Sequence, residues 1–114
     1  MKRILLLALA VSFSSLSFAG STIKVTMDAR KPNGKPWDIM NGAPDPYVKV
    51  DGVSYKGQRC QNSHSCSFSI SKTITEPVSI EVWDADVQFD DPAGSTFCIP
   101  MQQCETRSSK IIIY

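Results

Sequence analysis

The sequence predicts an all-β chain folded as an antiparallel β-sandwich, and three observations carry that expectation. Apolar and polar residues alternate in several short runs, Ile23/Val25/Met27 and Val78/Ile80/Val82 most clearly. Gly and Pro punctuate the stretches between them. No segment sustains helical periodicity over about ten residues, which leaves short strands and turns as the building material.

Residues 1–19 stand apart from that pattern. Lys2 and Arg3 precede an apolar run, Ile4–Phe13, and Ser17-Phe18-Ala19 has the small-x-small form of a cleavage site. This is the pattern of a secretory signal peptide, and the run is too short for a membrane-spanning helix. The mature domain is expected to cover residues 20–114, about 95 residues, which suits one domain with a modest core. The whole chain has 12 Lys and Arg against 11 Asp and Glu. Removing Lys2 and Arg3 leaves 10 against 11, and no basic run that could track a nucleic-acid backbone.

In order, Ser21–Met27 reads as a half-buried strand. Asp28–Pro44 contains Pro32, Gly34, Pro36, Gly42 and Pro44, so it is a long loop, and loops of that length in compact domains are usually functional or disordered. Tyr47–Val50 is the next strand, with Asp51-Gly52 as a tight turn and Val53–Arg59 returning antiparallel. Cys60–Cys66 is turn-rich, and in Ser67–Ile74 the apolar Phe68, Ile70 and Ile74 point inward. Glu76-Pro77 turns the chain into Val78–Trp83, the clearest strand. Ser95–Ile99 and Lys110–Tyr114 are the last two strands, with Met101–Ser109 a polar connection.

Four cysteines in an exported chain of this size imply two disulfides. The pairs Cys60–Cys66 and Cys98–Cys104 each close a short local loop and are favoured; pairings that cross the two segments remain open. His64, between Cys60 and Cys66, is an exposed hairpin residue on this reading rather than a zinc ligand.

Six of the 11 acidic residues fall in two short loops: Asp38 and Asp45 in the first, Asp84, Asp86, Asp90 and Asp91 in the second. Crowded carboxylates repel unless a cation neutralises them, and calcium takes six to eight oxygen ligands in flexible geometry. A calcium-type cup between the loops is therefore expected. An EF-hand is excluded: counting from Asp84, Phe89 falls where glycine is required and Ser95 where glutamate is required. Zinc or copper would call for His and Cys. Asp28 and Asp51 are read as turn residues. No Ser lies in a nucleophile elbow and His64 has no identifiable nucleophile or orienting partner, so an enzyme is not expected.

Two segments resemble a known family. Gly42-Ala43-Pro44-Asp45-Pro46-Tyr47-Val48-Lys49-Val50 is similar to the G-x-S-D-P-Y-V-K-V segment of C2 domains, and Val82-Trp83-Asp84-Ala85-Asp86 followed by Asp91-Pro92-Ala93-Gly94 to their later acidic loop. The resemblance implies a C2-like Greek key of about seven to eight strands with apical acidic loops. It implies Asp38, Asp45, Asp84, Asp86 and Asp91 as calcium ligands, Asp90 as a substitute for Asp91, and Trp37 and Ala85 as carbonyl donors. It also implies that apolar residues at the loop tips, Ile39 and Met40 in the first and Val87 and Phe89 in the second, contact membrane when calcium is bound. Two functions follow as expectations. One is an exported, periplasmic or secreted calcium-binding module that docks on phospholipid or an envelope surface. The other is a module for a protein partner, as an inhibitor, adhesin or assembly subunit, in which calcium is structural or absent.

Overall fold

The computed structural model describes residues 20–38 and 42–114. The expected signal peptide and the tip residues Ile39 and Met40 lie outside the described residues. Among the described residues eight strands run in the order β1 (Ser21–Met27), β2 (Pro46–Val50), β3 (Val53–Ser54), β4 (Ser65–Ile70), β5 (Val78–Asp84), β6 (Asp91–Cys98), β7 (Cys104–Glu105) and β8 (Ser109–Ile113). They form two four-stranded antiparallel sheets, ordered β4-β1-β8-β7 and β3-β2-β5-β6. The architecture is the expected antiparallel sandwich.

Period-two alternation makes each strand a divider between core and solvent. Ile23, Val25 and Met27 of β1 are buried, with Lys24 and Thr26 exposed between them. β4 repeats the pattern with Cys66, Phe68 and Ile70, and β8 with Ile111 and Ile113. From the other sheet Val48, Ile80 and Val82 close the core, each 0% exposed. Burying side chains of this size contributes roughly 1.5–3 kcal/mol each. Both local disulfides form, Cys60–Cys66 with Cα atoms 5.7 Å apart and Cys98–Cys104 at 5.6 Å. Loops this short add roughly 2 kcal/mol each in the chain-entropy account.

The structure corrects the strand boundaries in four places. The segment expected over Ser67–Ile74 is a strand only over Ser65–Ile70, with Ile74 buried beyond its end. The return strand expected over Val53–Arg59 pairs only at Val53 and Ser54; Lys56–Gln58 then form a 3-10 turn. The Gln58 side chain explains the departure. Its Nε2 donates to Ser69 O at 2.9 Å and its Oε1 accepts from Ser69 N–H at 2.7 Å, so it caps the edge of β4 in the opposite sheet. β6 begins at Asp91 rather than Ser95, because Asp91 and Pro92 pair with Asp84 and Trp83 across a bulge. Pro92 is tolerated because β6 is an edge strand. Within the polar connection, Cys104 and Glu105 pair with Ile111 and Lys110 as β7. The expected Asp51-Gly52 turn is present, with φ of 47° and 86°.

Candidate metal centre

The site is built where three chain segments end side by side. Pro46 opens β2, Asp84 closes β5 and Asp91 opens β6, and Asp84 is registered between the other two. Asp84 continues the inward phase of Val78, Ile80 and Val82, so strand alternation itself drives its carboxylate into the sandwich; only 4% of the residue is exposed. Its Oδ1 accepts the Asp45 backbone N–H at 2.8 Å, and Ala85 N–H donates to Asp45 O at 2.9 Å. The two acidic loops are thus stitched by one backbone–side-chain and one backbone–backbone hydrogen bond. Burial pushes the Asp84 carboxyl up to about 6; the Asp45 N–H opposes that shift, and the carboxylates of Asp45, Asp91 and Asp86 reinforce it.

Beside Asp84 opens a cleft of about 390 Å³. Asp38, Asp45, Asp84 and Asp86 line it, and so do Trp37 and Ala85, the residues expected to offer carbonyls. Trp37 anchors the first loop: its ring is buried and its Nε1–H donates to Asp28 O at 2.9 Å. Asp86 is exposed and its Oδ1 accepts the next residue's N–H, Val87, at 2.7 Å.

The other two aspartates are engaged by cations of the protein. Asp90 Oδ2 accepts from Lys56 Nζ at 2.8 Å and from the Tyr47 hydroxyl at 2.6 Å, and its Oδ1 accepts Asp86 N–H at 3.0 Å. Burial works against ionisation of Asp90, but the Lys56, Tyr47 and Asp86 donors outweigh it and hold the carboxyl at about 2. Burial and the Asp90 carboxylate push the Tyr47 phenol well above its ordinary value. Asp91 belongs to β6 and pairs with Lys31 at 2.8 Å. Neither Asp90 nor Asp91 lines the cleft.

The donor chemistry fits a hard cation: the side-chain donors lining the cleft are oxygens, the carboxylates of four aspartates and the amide of Gln61, and all four cysteines are in disulfides. The spacing is not that of a finished coordination shell. Among the described residues no three His, Cys, Asp or Glu side chains stand close enough to hold a metal ion. Lys56 and Arg59 also line the cleft. These two cations carry no metal-site signature in sequence. A charged Lys-Gly-Gln-Arg stretch reads as a solvated turn until the fold sets Lys56 against a carboxylate 34 residues away.

At the tip of the second loop Val87 is 97% exposed and Phe89 79%. No helix among the described residues is long and apolar enough to cross a membrane.

No protein-family model matches the chain, and comparison with curated proteins found no match. Among solved structures the chain is similar to a C2 domain at 18% identity and a TM-score of 0.47, over 82% of this chain and 95% of that one. It is also similar to a structure of two C2 domains of Extended-Synaptotagmin 2 at 13% identity and a TM-score of 0.45, over 83% of this chain and 39% of that one. This chain therefore spans well under half the length of that second structure. Among the described residues the chain has eight strands in two antiparallel sheets, with its acidic loops gathered beside β5: it is an antiparallel β-sandwich.

Proposed function

We propose that this protein is an exported, non-enzymatic C2-like module whose apical cleft takes a calcium-class cation and docks on a membrane or envelope surface. The observation that carries the reading is Asp84, a carboxylate held in the sandwich by strand phase with Asp38, Asp45 and Asp86 around the same cleft. A buried carboxylate among like charges is unfavourable without a counter-ion. Calcium, when bound, would neutralise this cluster and offer open positions to anionic phosphate or carboxylate groups. Asp84, Asp45, Asp38 and Asp86 would hold it, with Trp37 and Ala85 as carbonyl candidates. Val87 and Phe89, exposed beside the cleft, suit insertion between headgroups. Two disulfides suit an oxidising compartment, which supports export.

Calorimetric titration of the purified protein with calcium tests the reading. Saturable binding that is lost in the Asp84→Asn, Asp86→Asn double variant supports it; no heat at millimolar calcium rejects it.

A second reading is favoured by Lys56 on Asp90 and Lys31 on Asp91, ion pairs that neutralise part of the acidic set without metal. In that case the module recognises a protein partner and its loops work metal-free. Calcium-independent folding and an unchanged melting temperature in EDTA would favour it.

A further inference from the structure

The Asp45 loop precedes β2 and is held by the disulfide ring of Cys60–Cys66. Asn62 Oδ1 accepts Ala43 N–H at 3.0 Å, and Asn62 N–H donates to Asp45 Oδ1. Ser63 N–H donates to Pro44 O at 2.7 Å, and Cys60 N–H to Pro46 O at 3.2 Å. The ring thus contacts four consecutive residues, 43–46, and Asn62 alone supplies two of the bonds. Asn62 has a φ of 54°, a left-handed conformation that asparagine tolerates and that turns both its N–H and its amide toward one loop. Gly42 packs in the same place. A Cβ there would stand 3.0 Å from Asp38 Oδ2 and 3.3 Å from Asn62 Oδ1, so Asp38 and Asn62 close on one point.

We propose that Asn62 is a positioning residue for the acidic cleft: from within the disulfide ring it sets the backbone path of Ala43–Asp45 and the rotation of the Asp45 carboxylate. It touches no ligand itself. By holding Asp45 Oδ1, it leaves Oδ2 as the oxygen to be offered to the cleft, and the short ring limits how far that carboxylate can turn. The effect on cation affinity rests on the calcium reading given above; the hold on the loop does not.

The test is Asn62→Gly, which keeps the left-handed backbone and the N–H to Asp45 while removing the side-chain acceptor of Ala43. Amide hydrogen exchange is followed in EDTA, and calcium titration is done on the same samples. Loss of one hydrogen bond is expected to speed exchange at Ala43 and to weaken calcium binding, each by about fivefold. Exchange at Ile80 is expected to speed by no more than about that factor, and the melting temperature to fall by only a few degrees. Unchanged exchange at Ala43 overturns the proposal, and faster exchange with unchanged affinity overturns the positioning role. If the original protein binds no calcium, the calcium reading fails by itself. Exchange at Ala43 then decides alone: faster exchange supports the hold on the loop, and unchanged exchange overturns it.

Discussion

Asp45 and Asp84 are joined backbone to side chain: the Asp45 N–H donates to Asp84 Oδ1 at 2.8 Å, across 39 residues of sequence. The bond welds the end of β5 to the start of β2 at the point where the sandwich gives way to its acidic loops. It also means that the most buried carboxylate of the cleft has one oxygen committed to the protein. Its other oxygen is the one available to a cation.

The first prediction concerns pH in the absence of metal. The Asp84 carboxyl is raised from 3.8 to about 6, so the folded protein binds its proton more tightly than the unfolded chain does. Ionised Asp84 therefore costs stability above about pH 6, and that cost is relieved as pH falls from 6 toward 4. Asp90, lowered from 3.8 to about 2, acts oppositely: its contribution is full above about pH 4 and is lost as pH falls toward 2. Melting temperature measured in EDTA should contain a rising component from pH 7 to 4.5 that Asp84→Asn removes. Parallel profiles for the two proteins would show that Asp84 is not desolvated in solution.

The second prediction concerns Lys56. Its ammonium reaches Asp90 at 2.8 Å and lies 5.6 Å from the centre of the Tyr47 ring, while also lining the cleft. The ion pair is partly exposed, and such pairs contribute about 0–1 kcal/mol, so Lys56→Met should barely change stability. On the calcium reading, affinity should rise, because a competing cation leaves the cleft. A fall in affinity on titration would show that Lys56 supports the site instead of competing for it.

The strands were legible where burial has a period, and the site was legible only where it continues that period. Val78, Ile80 and Val82 point inward, and counting two further reaches Asp84, so its burial could be read from the strand itself. The fates of Asp90 and Asp91 could not. They depend on Lys56 and Lys31, 34 and 60 residues distant, and no local pattern reports a tertiary ion pair. The strand expected over Val53–Arg59 failed for a similar reason: the partner of Gln58 is a backbone edge in the opposite sheet. Asn62 was invisible because its role depends on the loop it faces.

The third prediction tests the bulge that starts β6. Gly94 has a φ of 127°, and a Cβ there would lie 2.8 Å from Thr106 Cβ and 3.0 Å from Arg107 N. Thr106 Oγ1 also donates to Ala93 O at 3.2 Å, so the two chains cannot part without losing that bond. Gly94→Ala should cost about 2–4 kcal/mol through backbone strain and overpacking together. Urea unfolding measures this directly. A loss below about 1 kcal/mol would mean that the Thr106 turn yields easily.

The fourth prediction separates membrane from protein docking. Val87 and Phe89 are 97% and 79% exposed, so replacing both by serine should change stability by less than about 0.5 kcal/mol. Neither residue belongs to the core, and any effect of the double variant on binding reports contact with a partner. If the loop tip enters a bilayer, phenylalanine transferred from water contributes roughly 1.5–3 kcal/mol, which corresponds to at least about tenfold in affinity. Co-sedimentation with phosphatidylserine vesicles in calcium should then fall by that factor in Val87→Ser, Phe89→Ser, while calorimetry finds calcium affinity unchanged. Sedimentation that is calcium-dependent yet indifferent to both substitutions would assign docking to charge alone. If neither protein sediments, although calcium binds, the exposed Phe89 is left for a protein surface.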